Sequence, residues 1–312
     1  MKTSSWLLNR QVLSALCAAP LLLSSAFAHA GEAAPAEAAA PAAEAAPAVE
    51  AAAPAAPAEP ASPHTFTFNL GLYSEYMFRG SSLSDGPAVQ GGADYAHSSG
   101  FYAGTWWSNI DPYYNGQIDP DPANGVAGTK GNHLETDWYA GYAHAFENGF
   151  GINVLGNYYI YPEGRNQGSG STKDTENTFE ASVAFSYKWL TYTYYRVLTD
   201  YYGYDNKNGR DGDTKGADYQ EIKFNYKLPI ADLNFLAKVG HTNTRHLTGD
   251  QNDLAIGLNR DFGFPSAGAP ITGFNAGAYY THTFAVENEG FYVSNGRDIN
   301  QDTIWFYLKR TW

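Results

Sequence analysis

The sequence predicts an all-β protein: a transmembrane, antiparallel, up-and-down β-barrel of about twelve strands, preceded by a disordered N-terminal tether. Three observations predict it. From His64 onward apolar and polar residues alternate in segments of roughly ten, the two-residue period of a strand with two unlike faces. The connections between segments mostly alternate short and long, as in barrels that cross a membrane. The chain also opens with a secretory signal and carries 24 Tyr and 7 Trp, residues suited to the two interfacial girdles of such a barrel. A soluble β-sandwich would alternate too, but it would not call for this combination.

Residues 1–30 read as a signal peptide. A basic start (Lys2, Arg10) leads into an apolar stretch through Leu21, Leu22 and Leu23 and ends on Ala28-His29-Ala30, too short and wrongly flanked for a membrane helix. Cleavage is expected after Ala30. Cys17, the one cysteine, leaves with the signal; Leu16 before it does not suit a lipidation site. The mature chain therefore uses neither disulfides nor thiol chemistry.

Residues 31–63 are almost entirely Ala, Pro and Glu. Such a tract cannot build a core, and its prolines break any long helix, so it is expected to be a semi-extended periplasmic spacer. The whole chain carries a net charge of −13. The signal adds two bases and the spacer five acids (Glu32, Glu37, Glu44, Glu50, Glu59), so most of the negative charge belongs to residues 64–312. No basic nucleic-acid surface is present, and no later stretch reaches the ~18 apolar residues of a spanning helix.

In residues 64–312 the strands are placed near 65–79, 87–96, 101–110, 133–146, 149–161, 177–188, 190–200, 218–228, 233–243, 251–262, 273–283 and 301–312. In the first, Phe66, Phe68, Leu70 and Leu72 alternate with Thr67, Asn69, Gly71 and Tyr73, and the same count sends Tyr76 and Phe78 to the lipid face. Ile222, Phe224, Tyr226 and Leu228 oppose Glu221, Lys223 and Asn225. Ile304, Phe306 and Leu308 alternate with Trp305, Tyr307 and Lys309. The first long connection is short for its side, and the turn near 263–272 is long for its own.

"FNLGLYSEYMFRG", "DGPAVQGGADY", "GFYAGTWWSNID" and "DWYAGYAHAF" resemble signature stretches of the TorF family of porins, an uncharacterised proteobacterial group. The likeness spans about residues 65–312 and is most specific in the first half. It implies an outer-membrane barrel and no catalytic residues; the long Ala/Pro/Glu spacer departs from the family pattern. The final Trp312 on an amphipathic strand resembles the assembly signal of bacterial outer-membrane proteins, although Arg310 stands where an apolar residue is usual.

Charged side chains are costly against hydrocarbon, by about 2–4 kcal/mol near the midplane, so they are expected to face the lumen. This selects Glu75, Arg79, Gln90, Asp94, Glu135, Asp137, Asn153, Asn157, Glu180, Lys188, Glu221, Lys223 and Lys238 as pore-lining. Their acids outnumber their bases six to four, which favours cations. The function expected is a porin-like channel for passive diffusion of small polar solutes or ions with a weak cation preference; inward Tyr73, Tyr139, Tyr159 and Tyr161 would fill part of it. The alternative is a structural or adhesive barrel that binds a partner through its outer loops. Glu75 and Arg79, about 13 Å apart along a strand, are not expected to pair with each other, and Arg79 is expected near Asp94 at the outer mouth.

Other chemistries fit less well. "DPYYNGQIDPDPANG" and "DNKNGRDGD" offer oxygen ligands without calcium-loop spacing. His97 with Ser98, His241 and His282 form no recognisable hydrolytic constellation. No enzyme activity, cofactor or metal is expected, and the partners expected are membrane lipid and small solutes or ions.

Overall fold

The computed structural model describes residues 62–112, 132–162, 176–202, 214–245, 247–266, 268–294 and 296–312. The signal peptide, nearly all of the spacer, most of the first Asp-rich loop tract and all of the second lie outside the described residues. In chain order the strands are β1 (His64–Tyr73), β2 (Met77–Phe78), β3 (Ser81–Ser82), β4 (Ala88–His97), β5 (Phe101–Asn109), β6 (Leu134–Ala145), β7 (Phe150–Ile160) and β8 (Thr178–Tyr187). They continue with β9 (Leu190–Val197), β10 (Asp218–Lys227), β11 (Leu233–Asn243), β12 (Gln251–Phe264), β13 (Ile271–Phe284), β14 (Val293–Ser294), β15 (Arg297–Asp298) and β16 (Thr303–Thr311).

Twelve of these strands form one closed barrel, each antiparallel to its sequence neighbours in the wall, with β16 returning to β1. The closing seam pairs Leu70 with Arg310 and Leu72 with Leu308. Trp312 extends it: its N–H donates to Phe68 O at 2.8 Å and its carbonyl accepts from Phe68 N at 3.2 Å. Closure leaves no unpaired strand edge, the condition for β-structure in hydrocarbon.

The alternation maps onto the wall. On β1, Phe66, Phe68, Leu70 and Leu72 point outward and are exposed; on β16, Ile304 is 66% exposed while its neighbour Trp305 is 5% exposed and turned inward. An apolar outer band of this extent is suited to lipid. At the short-turn end it meets paired aromatics, Phe101 with Tyr142 and Phe150 with Tyr187. Arg310 points outward there, with its guanidinium over the rings of Phe274 and Trp312 and its Nε donating to Thr272 O. A cation near a rim can lie over aromatic faces in this way, which accounts for an arginine in the final strand.

Two expectations are corrected. The first strand does not run to 79. It ends at Tyr73, where Ser74 bonds the backbone of Phe306, and residues 74–86 leave the wall and fold into the barrel. Tyr76 and Phe78 are thus buried inside, 4% and 9% exposed, rather than facing lipid. Lys188 is not on the inner wall either, because β8 stops at Tyr187. It sits in the tight turn to β9 at φ 53°, exposed and close to the rings of Tyr187 and Trp189.

Candidate functional site

The inward segment is a miniature hairpin. Met77 pairs with Ser82 and Phe78 with Ser81, joined by Arg79 and Gly80 at φ 46° and 91°. Positive φ at both central residues is the type I′ turn that matches the twist of a two-residue hairpin. Gly80 is needed twice over: a Cβ there would collide with the Thr283 methyl and lie 2.8 Å from Asp253 Cβ. The hairpin tip is pressed against the inner faces of β12 and β13.

Arg79 anchors it on the opposite wall. Its Nη2 donates to Glu180 Oε1 and Oε2 at 2.8 and 2.9 Å, and its guanidinium lies over Tyr219 (4.3 Å), Phe78 (4.8 Å) and Tyr195 (5.0 Å). Its carbonyl accepts from Gln251 Nε2 at 3.0 Å. Tyr76 donates to Glu135 Oε1 at 2.8 Å, and Tyr161 to Glu135 Oε2 at 2.9 Å. Tyr76, Phe78 and Leu83 pack with Trp106, Ile110, Tyr159 and Tyr161 in one buried cluster. Glu75 faces the last loop, accepting from Arg297 Nη2 at 3.2 Å and from Gly86 N at 2.7 Å. Arg297 also meets Asp85 at 2.7 Å, and Ser81 donates to Asn300 Oδ1 at 2.6 Å.

A second charged group lies on β10–β12. Lys238 Nζ is 2.9 Å from Asp253 Oδ1 and 3.7 Å from Glu221 Oε2, and Lys223 is 3.8 Å from Glu221 Oε1. Tyr219 donates to Asp253 Oδ2 at 2.9 Å. The lumen at the long-loop level is therefore crossed by a loop held through ion pairs, hydrogen bonds and aromatic faces.

A family model described as "Bacterial protein of unknown function (Gcw_chp)" matches residues 57–312. The chain belongs to the Gcw_chp family. That description assigns no activity, and the match does not carry the TorF name. No curated protein matches the chain. Among solved structures, the outer membrane protein OprD from Pseudomonas aeruginosa is 13% identical, with a TM-score of 0.33, over 79% of this chain and 64% of that one. OccK1 (OpdK) of the same organism is 10% identical, with a TM-score of 0.34, over 79% and 65%. The chain thus spans just under two thirds of the length of these proteins. The barrel architecture rests on the strand register of the Gcw_chp chain itself.

In this Gcw_chp barrel, Gln90, Asp94, Glu135, Asp137, Asn153, Asn157, Glu180, Glu221, Lys223 and Lys238 all stand on inward-facing positions of wall strands. Glu75 and Arg79 also lie inside, but on the folded-in loop. As expected, they do not pair with each other. The expected neighbourhood of Arg79 and Asp94 is wrong: Asp94 is nearer the short-turn end and accepts from the Tyr139 hydroxyl. Asn153 accepts from Tyr102 at 2.7 Å, and Asn157 donates to Asp137 Oδ2 at 2.9 Å.

Several participants were not selected from the sequence. Asp253 and Gln251 could have been, because strict alternation along β12 puts them on the face of Asn259 and Asp261. Arg297 and Asn300 could not, since they belong to a loop with no period. The histidines are peripheral: His97 meets Ser99, His241 meets Asn252, and His282 lies 2.5 Å from Asp302. The His282 hydrogen bond holds the Asp302 carboxyl below its usual range. Among the described residues no group of three or more His, Cys, Asp or Glu is arranged to hold a metal ion.

Proposed function

We propose that the protein is an outer-membrane channel for passive diffusion of small polar solutes or ions, narrowed by the hairpin at residues 74–86. The observation that carries this reading is a closed barrel with an apolar exterior whose interior gathers buried ionic groups around a loop anchored from wall to wall. Charges of this density at a constriction select by sign. Five buried acids (Glu135, Asp137, Glu180, Glu221, Asp253) face Arg79, Lys238 and Lys223, and the imbalance supports a weak cation preference. In this reading the long loops face outward, the short turns and the spacer face the periplasm, and the outer wall meets lipid. The role is non-enzymatic.

Purified protein in a planar bilayer tests it. Small, stable unit currents and a reversal potential displaced toward the cation are expected; an anion-selective potential removes the preference. Because the hairpin fills much of the described lumen, a structural barrel that presents its outer loops to a partner is the second reading. Absence of any channel favours it.

A further inference from the structure

The carboxylates under the hairpin outnumber the cations that reach them. Glu135 and Asp137 stand on β6 and Glu180 on β8, each no more than 2% exposed. Arg79 is committed to Glu180. Glu135 is held by two neutral hydroxyls. Asp137 accepts from the Asn157 amide through Oδ2, while its Oδ1 is buried without a partner, as is Asn157 Oδ1. The orientation of that amide follows from chemistry, since only its NH2 can face a carboxylate.

Asp137 and Asn157 line one small cavity beside Arg79, with about 50 Å³ of free volume, walled by Trp106, Tyr139 and Tyr195 and lined as well by Lys223, whose ammonium lies 3.8 Å from Glu221. Two orphaned acceptors, one of them a carboxylate without a counter-ion, aim at a space larger than the roughly 10–15 Å³ one water needs. A hard metal ion would seek about six to eight oxygens, and among the described residues no group of three or more His, Cys, Asp or Glu is arranged to hold one. A primary ammonium fits: its N–H groups satisfy both acceptors, its charge balances Asp137, and aromatic faces stabilise it. Arg79 Nε, an unpaired donor on the same cavity, can take an acceptor from the same solute.

We propose that this cavity is a binding site for the ammonium head of a small organic cation, with Asp137 and Asn157 as its acceptors. As a station on a permeation path it rests on the channel reading; as a binding site it does not. The test is the melting temperature of the full-length protein in detergent, titrated at constant ionic strength with methylammonium, tetramethylammonium or potassium chloride. A saturable rise with methylammonium alone is expected, and Asp137→Asn should weaken the apparent affinity by at least about tenfold. Equal responses to the three salts, or none, overturn the site and leave water or a proton in the cavity. Should Asp137→Asn not fold, the salt series on the unaltered protein decides, with Asn157→Ala as the second variant. Selective binding without bilayer currents removes the channel reading and keeps the site; currents without selective binding do the reverse.

Discussion

Arg79 shows how a single side chain fixes the state of the lumen. Its partner Glu180 lies 101 residues away, and both are buried, so removing one partner leaves an unpaired charge at a cost of about 3–5 kcal/mol. Arg79→Ala also removes the contact with the Tyr219 ring. The variant is expected to release the hairpin while leaving the wall intact, read as a larger unit conductance together with unchanged heat-modifiable migration on a gel. Glu176 makes a different prediction. It lies in the loop before β8 with Oε2 unpartnered, and burial pushes its carboxyl up to about 8. The folded state then keeps a proton that the unfolded state releases above its ordinary range near 4.5. Stability from this group is greatest below that range and falls as pH rises toward 8. Melting curves at pH 4 to 9 should show that decline, flattened in Glu176→Gln.

At the scale of elements, the hairpin is the part of the fold that departs from the repeating wall. Its turn needs Gly80 at φ 91°, and the closeness of Thr283 and Asp253 leaves no room for a methyl group. Gly80→Ala is therefore expected to displace the tip. Limited proteolysis should then cut within residues 74–86, and unit conductance should rise, with the twelve wall strands unaffected in circular dichroism. The same element explains where the sequence was and was not legible. Eleven of the twelve wall strands lie within about three residues of their expected bounds, because each carries its own alternation. The first ends at Tyr73, short of what its alternation predicts, because Tyr76 and Phe78 continue the period of Phe66 to Leu72 beyond the wall. An aromatic residue that faces lipid and one that plugs a lumen look the same along the chain. Arg79-Gly80 was the available local sign of a turn. Lys188 failed for a similar reason: parity extended past the strand's last residue points a side chain inward that the turn carries to the rim.

At the scale of the whole molecule, the barrel closes through β1 and β16, with Trp312 bonded to Phe68. The Ala/Pro/Glu spacer precedes this closed unit in the sequence, and at its end the Pro63 carbonyl accepts from Ser98 N at 2.9 Å. Deleting residues 31–61 is expected to leave a barrel with the same heat-modifiable migration and melting temperature; a lower melting temperature would give the spacer a structural role.

What the sequence determined by itself was the barrel: strand number, which side chains within the wall strands face inward, and the excess of acids among them. These are local properties, fixed by a two-residue period and by the cost of placing charge against hydrocarbon. What only the tertiary structure decided was who meets whom inside. Arg79 with Glu180, Tyr76 with Glu135, and Arg297 with Glu75 and Asp85 join segments far apart in the chain. Such pairs depend on where a loop re-enters the closed wall, and no periodicity encodes that path.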